Sequence, residues 1–199
     1  MSTPVAIAAG IGKSGRSGVL IKGGIHLENL GKIRVVAFDK TGTLTKGEPI
    51  VTDILAKNGD ETDVIRLAYS LERLSEHPLA KAIAERAEKM EIEALNVDNF
   101  ACLIGSGVSA NVGGQKFYAG KPEFFEDMGL KIHDNVDIDR IRGQGKTAIL
   151  IGNSEGIEGI IGIRDEIRPN AKDVIRELHK MGIKAIMLTG DSEIVAGAI

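Results

Sequence analysis

The sequence predicts an α/β domain with a parallel sheet, interrupted by an inserted α+β domain that carries an antiparallel sheet. Three observations predict it. Short, almost wholly apolar runs stand at 33–38 and 183–188, the texture of strands covered on both faces. Between them, after residue 50, helical spacing gives way to short strand-like pieces punctuated by glycine pairs. An amphipathic stretch over 170–181, stopped by Gly182, joins 157–163 to 183–188 in a β-α-β pattern.

Taken in order, residues 1–31 are small, Gly-rich and basic, and are expected to be the end of a helix followed by an irregular segment. Their first dozen residues are apolar but too few to span a bilayer, and they lack the charged start and cleavage site of a signal peptide. The run 33–38 is a central parallel strand. Val64, Ile65, Leu67, Ala68 and Leu71 fall at helical spacing within 62–74. Pro78 opens a second helix, continued by Leu79, Ala82, Ile83 and Ala87 to about residue 90, because proline is at home in a first turn. Strands follow at 100–104, 107–112 and 115–119, the last two joined by the hairpin signal Gly113-Gly114. From Thr147 the texture reverts, with strands at 148–151 and 157–163 and then a helix whose Val174, Ile175 and Leu178 face inward. The expected domains are 1–31 as the end of a transmembrane helix and linker, 32–50 and 147–199 as the two parts of the first domain, and 51–146 as the insert.

The chain has 199 residues, enough to bury a sizeable core. A net charge of −3 argues against a broad nucleic-acid footprint. The single cysteine, Cys102, excludes an internal disulfide framework and is expected in the core, within an apolar run. His26, His133 and His179 are read as surface residues, and four scattered histidines make no metal-ligand spacing. Two stretches imitate a phosphate-binding loop, Gly12-Lys13-Ser14 and Gly145-Lys146-Thr147. Both lack the earlier glycine, whose place is held by Ile7 and Arg140. Gly105-Ser106-Gly107 is followed by a hairpin and not a helix, so it is no dinucleotide fingerprint, but it is a place for close backbone approach to a ligand.

The stretch FDKTGTLT, 38–45, carries chemistry. Asp39 ends one apolar strand and Thr189-Gly190-Asp191 ends another, and in open parallel sheets ligands sit beyond the carboxyl ends of strands. Asp39 is placed to attack phosphorus and hold an acyl phosphate. Thr189 and the backbone amides near Thr41 and Gly42 are placed to bind the phosphoryl oxygens, with Lys40 adding charge. Mg²⁺ is implied, because carboxylate and phosphate repel each other without it. Two residues after the nucleophile stands Thr41, which is no general acid near neutral pH. The acyl phosphate therefore persists, which suits a machine that works between two half-reactions.

With these residues in hand, the chain resembles the P-type ATPases, and among them the heavy-metal-transporting subclass. DKTGTLT at 39–45 is similar to the family's phosphorylation motif, Thr189-Gly190-Asp191 to its second phosphate-binding motif, and Asp165-Glu166-Ile167-Arg168-Pro169 to its hinge motif. Ser75-Glu76-His77-Pro78 and Gly105-Ser106-Gly107 resemble the marks of the subclass. The resemblance covers essentially the whole chain. It implies a haloacid-dehalogenase-like phosphorylation domain with an inserted nucleotide-binding domain. It implies that Asp39 is phosphorylated by ATP, that the Asp39 carboxylate and the Thr41 carbonyl hold Mg²⁺, and that Thr189 contacts the phosphate. Glu76 and His77 would belong to the adenine pocket, lined by Gly105 and Gly107. Asp165 and Arg168 would orient the nucleotide, and Lys146 is a further candidate for binding it.

The same resemblance implies a membrane-embedded parent, with the chain on the cytoplasmic face of a prokaryotic plasma membrane and no partner protein indicated. The transported cation would be bound by membrane helices absent from this chain. The stretch Lys22-Gly23-Gly24-Ile25-His26-Leu27-Glu28 is closer to the zinc, cadmium and cobalt group than to the copper group. The family's later lysine and Gly-Asp-Gly loop have no counterpart here, so the expectation is ATP binding with little autophosphorylation, and an exposed sheet edge. Two other functions compete. A soluble phosphatase of the same fold would turn over p-nitrophenyl phosphate rapidly. A non-catalytic nucleotide-binding module would bind ATP independently of Asp39.

Overall fold

The computed structural model describes residues 3–132, 135–190 and 193–197. His133 and Asp191, both singled out above, lie outside the described residues. In chain order the elements are α1 (Thr3–Arg16), α2 (Gly24–Leu30), β1 (Val35–Asp39), β2 (Thr45–Ala56), α3 (Glu61–Glu72), α4 (Pro78–Lys89), β3 (Val97–Leu103), β4 (Gly107–Val112), β5 (Gln115–Gly120), α5 (Pro122–Asp127), α6 (Val136–Gly143), β6 (Thr147–Gly152), β7 (Ile157–Ile167), α7 (Ala171–Lys180), β8 (Lys184–Leu188) and α8 (Glu193–Gly197). By their contacts they form two units, 1–38 with 170–187, and 39–169 with 188–199.

In the first unit, residues 24–30 form a helix where an irregular segment was expected. Glycines allow α1 and α2 to approach: a Cβ on Gly10 would lie 2.7 Å from Leu27, and one on Gly24 would lie 3.0 Å from Ile7. The strand expected at 33–38 is β1, and it pairs with β8. Both strands alternate between exposed and half-buried, where burial on both faces was expected. The inward face expected on α7 is likewise uncovered: Val174 is exposed, Ile175 and Leu178 are half-buried, and no residue of α7 is fully buried. A sheet of two strands offers too little surface to cover such a face. Among the described residues, no helix is long and apolar enough to cross a membrane.

The second unit is built on a six-stranded antiparallel sheet of order β2-β7-β6-β5-β4-β3. Its two faces carry separate cores. Ile149, Ile151, Ile161 and Ile163 pack with Val64, Ile65, Ala68 and Leu71 of α3 and Ala82, Ile83 and Ala87 of α4. Ala148, Leu150 and Ile160 pack with Phe125 of α5 and Ile138 and Ile141 of α6. Adjacent residues of β6 and β7 thus bury on opposite faces, as the pleat requires. Leu71 and Ile83 are fully buried, each contributing about 2 kcal/mol.

The strands expected to return to an α/β domain at 148–151 and 157–163 belong instead to this sheet. β7 pairs antiparallel with β2 and β6, so the predicted β-α-β unit ending in β8 is not formed. An apolar run covered on both faces has the same texture in either kind of sheet. β2 itself was not anticipated. Its opening stretch carries Gly47 and Pro49, and register shifts between Thr45 and Pro49 and between Val51 and Asp53 erase the alternation. Its place at the sheet edge is where proline is tolerated.

Other local signals act as read. His77 caps α4 with Pro78 in its first turn. Gly113 and Gly114, at φ 59° and 85°, close the β4–β5 hairpin in the left-handed conformation a two-residue turn demands. Cys102, expected in the core, is exposed. It lies on edge strand β3 beyond a register shift between Asp98 and Ala101, where Asn99 takes φ 52°. The bulge turns Phe100 and Leu103 toward cover and Cys102 outward.

Candidate active and nucleotide-binding site

β1 ends on Asp39, whose side chain is exposed. The turn Lys40–Leu44 follows, with Thr41 extended and Gly42 at φ 75°. A Cβ on Gly47 would lie 3.1 Å from the Gly42 Cα, so this turn folds back closely on itself. Thr45 is fully buried. Its Oγ1 accepts from the Gly42 amide at 3.2 Å and lies 2.6 Å from Asp165 Oδ2 and 3.0 Å from the Lys40 carbonyl. A hydroxyl has one proton, and the closer carboxylate takes it. Asp165 Oδ1 accepts from the Gly47 amide at 3.0 Å. Arg168 donates through Nη2 to the Gly42 carbonyl at 3.0 Å and through its backbone amide to the Leu44 carbonyl at 2.8 Å.

The Asp165/Arg168 pair therefore grips the loop that follows Asp39. In this geometry the two residues position the loop, and Asp165 also lines the cavity beside it, where help in orienting a nucleotide was expected of the pair. The Gly42 amide, expected to face a phosphoryl oxygen, is engaged by Thr45. Lys40 is buried.

A cavity of about 260 Å³ is lined by Lys40, Thr41, His77, Lys121, Asp165, Thr189 and Gly190, among others. It brings the turn after β1 and the corner after β8 together, as the two motifs predict. A second cavity, about 210 Å³, is lined by Glu72, Ser75, His77, Cys102, Gly105, Gly107 and Lys121, among others. His77, Leu79 and Lys121 are common to both.

His77 is both a helix cap and a cavity wall. Its Nδ1 accepts from the Leu79 amide at 3.2 Å, which places the ring proton on Nε2. Burial, then the nearby Lys121 charge, hold its pKa below the ordinary value, so the ring is neutral. Gly107 lies opposite Gly120 in the β4–β5 ladder, and a Cβ on it would meet the Ala119 carbonyl oxygen at 2.1 Å. Glu76 is exposed and is not among the residues lining either cavity. Lys146 is paired with Asp53 Oδ2 at 2.7 Å. That same Asp53 oxygen accepts from Thr52 at 2.6 Å, and Lys146 is likewise not among the lining residues of these cavities. Among the described residues, no three His, Cys, Asp or Glu side chains cluster as a metal site.

Two residues escaped the sequence reading. Lys121 is one. The other is Glu72, buried at the end of α3 in the second cavity, where burial pushes its pKa up to about 7 against a weaker opposing hydrogen bond from Ser75. In the run Leu71-Glu72-Arg73 an acid reads as helix surface. Its place five residues before His77, across the α3–α4 turn, was the available signal.

This carboxyl links stability to pH. The folded form holds its proton up to about pH 7, and the unfolded chain releases it near 4.5. Stability from this group is complete below 4.5 and falls as pH rises to 7, by about 1 kcal/mol per pH unit at the steepest. Urea melts at pH 5 to 8 should show this fall in the unmodified chain and a flatter profile in Glu72→Gln.

Comparison with known proteins gives a consistent set of likenesses. The haloacid dehalogenase-like hydrolase family matches residues 33–199. A cadmium-transporting ATPase of Staphylococcus aureus is 44% identical over all of this chain, which spans 28% of that relative's length. Among solved structures, a zinc-transporting PIB-type ATPase in its E2.Pi state is 37% identical with a TM-score of 0.69, covering 99% of this chain and 32% of the other. The catalytic domain of the CPx-ATPase CopB-B, described for conformational changes upon nucleotide binding, is 29% identical with a TM-score of 0.68, covering 94% of this chain and 65% of the other.

Proposed function

Because the chain belongs to the haloacid dehalogenase-like hydrolase family, we propose that it is the ATP-binding and aspartyl-phosphorylation region of a heavy-metal-transporting P-type ATPase. The observation that carries this reading is one cavity lined by the turn after Asp39, the Thr189–Gly190 corner and His77, adjoining a second cavity that shares His77, Leu79 and Lys121 with it. In the whole enzyme Asp39 Oδ attacks the terminal phosphorus of ATP. The bond from that phosphorus to the bridging oxygen breaks, ADP departs with the electron pair, and an acyl phosphate remains on Asp39. The Thr189 hydroxyl and the remaining turn amides donate to the phosphoryl oxygens as charge develops. Thr41 offers no acid to hasten hydrolysis, so the intermediate lasts.

Mg²⁺ fits this donor set. One exposed carboxylate and a carbonyl, with no cluster of three acids among the described residues, suit a cation held jointly with substrate phosphate. Asp39 and the Thr41 carbonyl would hold it, and it would supply charge neutralisation. In the other cavity, the near-neutral Glu72 carboxyl and the His77 Nε2–H provide hydrogen-bonding groups for adenine between the Gly105–Gly107 backbone and Leu79. Glu76 and Lys146 would act from outside it, through the α4 cap and the Gly145–Thr147 wall. Strand pairing favours a nucleotide-binding domain running from Thr45 to Ile167, wider than 51–146. Cadmium or zinc is the favoured cargo, carried by membrane helices of the longer protein, with this chain on the cytoplasmic side of a prokaryotic plasma membrane.

Calorimetric titration with ATP tests the reading. The chain should bind ATP, His77→Ala should weaken binding about tenfold or more, and Asp39→Asn should leave it intact. Equal binding by His77→Ala and the unmodified chain, or none by either, would reject this site.

A further inference from the structure

Lys121 is exposed, yet its backbone is tightly held. Its amide donates to the Ser106 carbonyl at 3.1 Å. Pro122 restricts it to the extended conformation observed, φ −66° and ψ 152°. The preceding Gly120 packs so closely on the Gly105–Gly107 loop that a Cβ there would lie 2.4 Å from the Ser106 oxygen. The fold therefore fixes where this side chain starts.

From that point it reaches both sites. Lys121 borders the base cavity and the cavity beside the Asp39 turn, and also a third cavity of about 450 Å³ next to them. Among the described residues it is the one common to all three, and the one lysine or arginine lining the base cavity. Lys121 forms no ion pair among the described residues. Four acids line the cavities it borders: Asp165 is engaged by Thr45 and Gly47, Glu123 by Arg142, burial favours the protonated form of Glu72, and Asp127 makes no ion pair with Lys121 among the described residues. Its charge is felt locally, since it depresses the His77 pKa.

Resting on the nucleotide reading above, we propose that Lys121 binds the polyphosphate of the nucleotide between the base cavity and Asp39, so that the site selects a nucleoside triphosphate over the nucleoside. A cation on a flexible stem, anchored at its root and lacking a carboxylate partner, suits phosphate oxygens that spread negative charge along this passage. Lys146, the lysine that sequence position favoured, already has Asp53.

The test is calorimetric titration of the full chain with adenosine, AMP and ATP, for the unmodified protein, Lys121→Ala and Lys121→Arg. ATP affinity should fall about tenfold in Lys121→Ala, with adenosine changed less than about twofold. Lys121→Arg should restore most of the loss, and the salt dependence of ATP binding should be shallower in Lys121→Ala. Equal loss for adenosine and ATP, or no loss for either, would overturn the assignment while leaving nucleotide binding standing. Absence of ATP binding by the unmodified chain would remove both.

Discussion

Gly107→Ala should destabilise the second unit by about 3 kcal/mol, through strain and overpacking together. Gly107 sits at φ 151° opposite Gly120, and an added Cβ would lie 2.1 Å from the Ala119 carbonyl oxygen and 2.6 Å from the Gly120 Cα. Both are backbone atoms of the paired strand, so neither can swing aside. Gly105→Ala is the internal control. Gly105 has φ 77° but nothing within 4 Å of its would-be Cβ, so only the left-handed conformation is penalised, by about 1 kcal/mol. Denaturant melts of the two variants should therefore separate widely. Equal destabilisation would show that the β4–β5 approach is looser than described. Because Gly107 lines the cavity proposed to hold the base, its substitution should also weaken ATP binding at temperatures where the chain stays folded.

Asp165→Ala should separate binding from chemistry. Asp165 holds the Thr45 hydroxyl and the Gly47 amide and so fixes the far end of the turn after Asp39. Its removal turns the Thr45 hydroxyl to the Lys40 carbonyl, 3.0 Å away, and leaves the exposed Gly47 amide to water, at a cost of about 1 kcal/mol for the lost charged acceptor. It also releases the loop that places the nucleophile. On the proposed function, hydroxylamine-sensitive phosphorylation of Asp39 in the longer protein should fall about a hundredfold, as expected when a reacting group loses its alignment. ATP affinity should change little, because the base cavity does not include Asp165. The opposite pattern, lost affinity with normal phosphorylation, would mean that Asp165 touches the nucleotide and does not act through the loop. Arg168→Ala, which removes the guanidinium donor to the Gly42 carbonyl of the same loop, should resemble Asp165→Ala more weakly.

Particular residues show where reading the sequence succeeded. His77-Pro78 marks the α4 start because a proline's fixed φ and missing amide suit only a first turn. Gly113-Gly114 marks a hairpin because two successive left-handed residues are hard for anything else. The Thr41 and Thr189 motifs meet because strands β1 and β8 lie side by side and both end at that corner. Each of these inferences rests on chemistry within a few residues of chain, or on the general rule for strand ends.

What failed depended on distant partners. The runs at β6 and β7 are buried on both faces, and only their pairing with β2 and β5 reveals an antiparallel sheet. A bulge opposite β4 turns Cys102 outward. Sequence position favours Lys146 over Lys121, until Asp53, 93 positions before Lys146, proves to hold it. Glu72 becomes a near-neutral acid only where α3 meets the β3–β4 turn and water is excluded. The locations of caps and turns were thus written in local residue order, as was the motif that motivates the proposed nucleophile. Which charges are neutralised, which faces are covered and which loop is braced were decided by tertiary contacts, because desolvation and hydrogen-bond partnership belong to neighbours in space, not to neighbours in sequence.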